Sequence, residues 1–158
     1  MTTSSFLDLF RSDCFWSAVL SWLVAQATKM CFGLFRTGRL DFGYIVSTGG
    51  MPSAHSAMSA GLAVSIGLAT GFGSPVFVLA LAFALVTMFD ASTVRRAAGL
   101  QARLLNEIID ELFKEHRLSE RKLAELLGHT RLEVVMGMII GILVGVIVTS
   151  LTSLLRAA

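Results

Sequence analysis

Four stretches of the chain are apolar almost without interruption: Phe15 to about Leu34, Ala57 to Phe72, Pro75 to Phe89, and Leu132 to Leu155. The last of them carries one charge, in its first turn, and then none. It exceeds the roughly 20 residues that a helix needs to cross a bilayer core. The second and third are fifteen or sixteen residues each and meet at "GFGSP", a turn that no helix runs through. They predict a helical hairpin whose rods are short because their inner ends reach a polar site. Buried helices of a soluble bundle would show a polar outer face, and Pro75 to Phe89 has none.

Between the third and fourth stretches the pattern changes. In "LQARLLNEIIDELFKEH", Leu100, Leu104, Leu105, Ile108, Ile109, Leu112 and Phe113 recur at helical spacing opposite charged positions. This predicts an amphipathic helix lying against the membrane surface or against the bundle. A second short helix is predicted after it, with Ser119 as N-cap and Gly128 as stop. No repeat, low-complexity tract or long linker divides the 158 residues, so a single membrane-embedded domain over 1–158 is expected.

Composition agrees with this pattern and excludes other classes. With 54% hydrophobic and 15% charged residues and a mean hydropathy of +0.74, the chain reads as an all-α, polytopic helical bundle with about four transmembrane helices. A net charge of +2 is too small to suggest nucleic acid, and no basic surface is interleaved with aromatics for bases to stack on. Cys14 and Cys31 fall on one helix about 25 Å apart, beyond disulfide reach. Acidic residues and no basic region precede the first apolar run, so no cleaved signal peptide is expected.

Charge also sets the topology. With four spans, eleven of the thirteen Lys and Arg residues fall on the side that holds the loop after span one and the 95–131 section. Arg11 and Arg156 fall on the other. The positive-inside rule makes the first side cytoplasmic, and the expected location is the cytoplasmic membrane.

The candidate chemistry lies at that same side. In "GGMPSAHSAMSAG", Pro52 suits a helix approach, Ser53 can cap the helix, and the glycines let the backbone bend. A helix start of this kind attracts phosphate, and His55 places a titratable ring beside it. The alternative is a capped helix with an interfacial histidine. Lys29 and Arg36 stand two helical turns apart at the end of span one. They either converge on an anion or snorkel as positive-inside anchors. His129 and Glu133 are four apart, so the carboxylate can hold the Nδ1 proton and leave Nε2 as a nucleophile. Thr130 and Glu133 also spell a capping box, which would engage Glu133 with the backbone instead. Asp90 ends span three, where a carboxylate needs a partner. Arg95 and Arg96 are the nearest candidates, either for Asp90 or for a phosphate, or as an ordinary stop-transfer pair. Together these residues match covalent phosphoryl transfer, which needs no metal or other cofactor. His55, His116 and His129 do not have zinc-site spacing.

The blocks "TGGMPSAHSA", "DASTVRRAAGLQA" and "LLGHTRLEVVMGMIIG", in that order, resemble the divergent type 2 phosphatidic acid phosphatase family, over about Leu20 to Leu151. The wider superfamily carries K-x6-R-P, P-S-G-H and S-R-x5-H-x3-D. The resemblance implies that Lys29 and Arg36 form the first motif, with Thr37 in place of proline. It implies that Pro52, Ser53 and His55 form the second, with Ala54 for glycine, the serine binding phosphate and the histidine protonating the leaving group. His129 then matches the nucleophile, and Glu133 the carboxylate that orients it. The third motif departs: Leu123 stands six residues before His129 where arginine is usual, and Arg95 or Arg96 is expected to supply that charge. Family members labelled as related to vanadium-dependent haloperoxidases have soluble counterparts, so vanadate is expected to matter here as a phosphate mimic.

The expected function is hydrolysis of a lipid phosphomonoester or diphosphate through a phosphohistidine, with lipid phosphate and membrane lipids as partners. The rival is a non-catalytic lipid-binding or scaffold protein that keeps the phosphate pocket. Small residues recur every four positions at Gly137, Gly141 and Gly145 and at Ala57, Gly61 and Ser65. Such stripes pack helices closely inside a subunit or form a homodimer face.

Overall fold

The computed structural model describes residues 6–38, 50–112 and 129–157, all built from helices, turns and short connections. A 3-10 turn, Phe6–Arg11, leads into α1, Asp13–Thr37. α2 is Ala54–Thr70, α3 is Pro75–Ser92, α4 is Val94–Leu112 and α5 is Arg131–Ala157. Three helical stretches are long and apolar enough to cross a membrane: Asp13–Phe35, Pro75–Ile109 and Arg131–Ala157. α2 has 17 residues, about 26 Å by the helical rise, and is the innermost rod. It packs against α1, α3 and α5.

The helix ends are set by the punctuation in the sequence. Ser12, Ser53 and Ser74 sit in extended backbone and cap α1, α2 and α3, each accepting from the amide three residues on. Pro75 follows Ser74 at the first helical position, where its missing N–H costs nothing. Gly38, at φ 67°, closes α1 through a bond from its amide to the Leu34 carbonyl at 2.8 Å. The expected hairpin between α2 and α3 turns at Gly71–Ser74, with Phe72 and Phe77 edge to face at 5.1 Å.

The centre of the bundle is made of small residues. A Cβ added at Gly137 would collide with the Ser53 carbonyl oxygen, and one at Gly141 with that of Ala57. At Gly145 it would stand 2.8 Å from the Gly61 carbonyl. One turn further, Ser65 and Thr149 share a hydroxyl–hydroxyl bond of 2.9 Å across the same offset of 84 residues. A constant offset means that α2 and α5 run parallel in register. The two stripes noted in the sequence thus face each other within one chain. α1 runs antiparallel to both: Ser21 packs against Gly61, Ala25 against Ala57, and Lys29 against Gly50. At the far end Arg156 bonds Asp13 at 2.9 Å and the Arg11 carbonyl at 3.3 Å.

The amphipathic helix appears as α4, and among the described elements it touches only α3. Leu100, Leu104, Leu105 and Ile108 are exposed, whereas Gly99 and Asn106 are buried. Its apolar edge therefore faces away from the bundle, which excludes the alternative of packing against it. Phe113, His116, Leu123 and the short helix expected from Ser119 to Gly128 lie outside the described residues.

Gly141→Ala should lower stability by about 1–3 kcal/mol, because its methyl would meet fixed backbone. Gly73→Ala, with nothing within 4 Å of the added carbon, should stay within about 0.5 kcal/mol of the parent. Thermal unfolding of the two variants in one detergent checks the contrast.

Candidate functional site

The alternation of helix directions brings the C-terminal ends of α1 and α3 and the N-terminal ends of α2 and α5 to one end of the bundle. Two backbone bonds fasten them. The Ser53 amide donates to the Glu133 carbonyl at 2.9 Å, joining α2 to the first turn of α5. The His129 amide donates to the Ala91 carbonyl at 3.1 Å, joining the second residue before α5 to the last turn of α3. His129, Ser53 and Lys29 are 2%, 0% and 3% exposed, so this end of the bundle is closed around polar groups.

The start of α5 resolves the two readings of Glu133 in favour of both at once. The Glu133 amide donates to Thr130 Oγ1 at 3.3 Å, and the Thr130 amide donates back to Glu133 Oε2 at 3.1 Å, completing the capping box. The same Oε2 lies 2.9 Å from His129 Nδ1. A carboxylate oxygen accepts here, which favours the proton on Nδ1, and in that tautomer Nε2 is the basic nitrogen of the ring. The cap fixes the carboxylate, and the carboxylate fixes the ring.

Lys29 is the second finding. The snorkelling reading would leave its ammonium in water, yet the side chain is buried. Its methylene carbons lie 3.7–3.9 Å from where a Cβ on Gly50 would stand. Gly50 takes φ +92°, a conformation that favours glycine, and so lets the approach to Pro52 pass over the lysine. Lys29 and Glu133 attract each other across a cavity of about 470 Å³, which Phe32, Gly33, Phe35, Gly50 and Met51 also line.

The remaining expected residues divide. Ser53 is at the N-cap of α2 beside Glu133, and its hydroxyl accepts from the Ser56 amide at 3.4 Å and from Ser56 Oγ at 3.0 Å. His55 lies in the first turn of α2, at the same end as His129, with an exposed side chain. Asp90 is in the last turn of α3, one residue before the carbonyl that holds His129. Arg36 lies on α1 and Arg95 and Arg96 on α4, with their side chains outside the described structure. Among the described residues no three His, Cys, Asp or Glu side chains gather to hold a metal ion.

Sequence reasoning missed Ser56, Met51, Phe32 and Phe35, and it gave Gly50 a bend but not its place over Lys29. Phe32 and Gly33 follow Lys29 by three and four residues, the spacing of one helix face, and that signal was present in the sequence. Gly50 and Met51 precede α2 and carry no periodic signal.

This arrangement defines a multi-pass membrane protein with an oriented histidine and a buried lysine at one end of its helices. The chain belongs to the Divergent PAP2 family, whose family model matches residues 10–144. The uncharacterized membrane protein YuiD of Bacillus subtilis (strain 168) is 34% identical over 132 residues, covering 77% of this chain and 84% of that protein. No solved structure matches the chain.

In histidine ¹⁵N spectra, His129 should appear as the Nδ1-protonated tautomer. Glu133→Ala should abolish that preference, whereas Thr130→Ala should keep it while lowering stability by about 1 kcal/mol for the lost cap. Equal tautomer populations in all three proteins would contradict the orienting role of Glu133.

Proposed function

We propose that this protein is an integral-membrane phosphatase acting on a lipid phosphomonoester or diphosphate through a phosphohistidine at His129. The observation that carries the reading is that the buried Lys29 and Glu133, the carboxylate that holds His129 Nδ1, line one cavity. His129 Nε2 attacks phosphorus, the bond from phosphorus to the lipid oxygen breaks, and His55 gives that oxygen its proton. His55 then takes a proton from water, the hydroxide attacks the phosphohistidine, and cleavage of the P–N bond releases inorganic phosphate. Lys29, Arg36 and Ser53 stabilise the charge on the transferring group. Arg95 or Arg96 completes the set, and Asp90 supports it by pairing with one of them.

The cavity supports a lipid substrate. At about 470 Å³ it is within the range of small-molecule sites, larger than a phosphate alone requires. Phe32, Phe35 and Met51 give it apolar walls, and Phe32 and Phe35 are exposed at the end of a membrane-spanning stretch. The excess of Lys and Arg on this side supports a cytoplasmic-facing site, which inner-leaflet lipids would reach.

A second reading, a non-catalytic lipid-binding protein with the same pocket, is favoured by one observation: Leu123 stands where the wider superfamily carries arginine. Phosphate release from phosphatidate, phosphatidylglycerophosphate and polyprenyl phosphate by the purified protein separates the two. His129→Ala should fall to background, and Lys29→Ala should lose roughly 10²–10³ in rate. His55→Ala should lose roughly 10²–10⁴. Background release by the parent and by all three variants would leave the binding reading in place.

A further inference from the structure

We infer that Ser56 is a positioning residue that aims the Ser53 hydroxyl at a bound tetrahedral oxyanion; this rests on the proposal that Ser53 belongs to a phosphate site. The argument begins with the bonds of Ser53. Its amide is taken by the Glu133 carbonyl, and its carbonyl accepts from the Ala57 amide at 3.1 Å. Its hydroxyl oxygen accepts twice from Ser56, from the amide at 3.4 Å and from Oγ at 3.0 Å. A hydroxyl has two acceptor lone pairs and one proton. With both lone pairs engaged, the proton is what Ser53 has left to offer.

The burial makes that remainder informative. An ordinary N-cap serine lets its proton find water, but Ser53 and Ser56 are both 0% exposed. Among the described residues no acceptor takes the Ser53 proton. An oxygen of a bound oxyanion is an acceptor and nothing else, so it completes the set.

Ser56 also departs from the habit of six other helical hydroxyls. Ser21, Thr28, Ser59, Thr70, Thr87 and Thr152 each donate to the carbonyl four residues back. Ser56 stands in the first turn of α2 and donates to a side chain instead. It is held there from behind, since its Cβ is 3.1 Å from where a Cβ on Gly137 would stand. The close approach of α5 thus fixes Ser56, and Ser56 fixes Ser53.

Binding of orthovanadate to the purified full-length protein, followed by calorimetry, tests this without relying on turnover. Ser56→Ala should weaken vanadate binding about tenfold with an unchanged thermal midpoint. Ser53→Ala should weaken it at least as much, and the double variant should equal Ser53→Ala, because Ser56 acts only through Ser53. Parent-like binding by Ser56→Ala, or an equal further loss in the Ser53→Ala background, would overturn the inference and leave the phosphatase reading intact. Absence of vanadate binding by the parent would remove the oxyanion site itself, and both proposals with it.

Discussion

The contact on which the rest depends is the one between the backbones of α2 and α5. Lipid tails are as apolar as leucine, so helices in a bilayer gain nothing from hiding apolar side chains and associate by close packing instead. Gly137, Gly141 and Gly145 provide it, because each leaves no atom between its backbone and a carbonyl of α2. That closeness allows the Ser53 amide to reach the Glu133 carbonyl. If the helices stood apart by the width of a methyl group, that bond would be lost and Ser56 would lose the wall behind it. The site is a consequence of the small-residue seam, displaced by one turn toward the end of the bundle.

A bundle closed this tightly can hold charge where water is scarce. A lysine inside a membrane-spanning stretch is costly unless a partner or ligand compensates it. Here the partner across the cavity is Glu133, which already accepts from the Thr130 amide and His129 Nδ1. The carboxylate is thus shared among a helix cap, an imidazole and an ammonium. Removing it would take one compensating charge from a buried cation as well as the partner that aligns the ring, and breaking such a pair costs more than the pair contributes. A single side chain couples the integrity of α5 to the orientation of His129.

Much of the fold was legible in the sequence for a simple reason. Unbroken apolar runs and capping residues are local signals, and the observed helices begin and end within about three residues of the predicted stretches. The alternating direction of the helices then predicted which helix ends meet. The orientation of the α4 apolar edge and the facing of the glycine and Ala57–Gly61–Ser65 stripes needed the packed structure to decide. The burial of Lys29 was not legible, because a lysine near the end of a span has the same sequence signature whether it snorkels or turns inward. Nor was the double use of Glu133, since spacing presented the cap and the imidazole as competitors. One carboxylate oxygen has two lone pairs, and the geometry at the start of α5 uses both. Ser56 was invisible for a different reason: its role depends on Gly137, which is 81 positions away in sequence and one helix diameter away in space.

The bond from the His129 amide to the Ala91 carbonyl explains how a site can tolerate the long polar excursion in its middle. The chain leaves the bundle at the end of α3 and returns immediately before α5, and this hydrogen bond joins departure to return. A loop whose ends are fixed by the core beneath it can change in length at small entropic cost, because closure entropy grows only with the logarithm of length. The position of His129 is therefore set by α3 and α5 and not by the length of the 37 positions between the bonded residues, among which α4 exposes Leu100, Leu104 and Ile108. The scaffold and the surface helix can vary independently, and the imidazole stays where the glycine seam puts it.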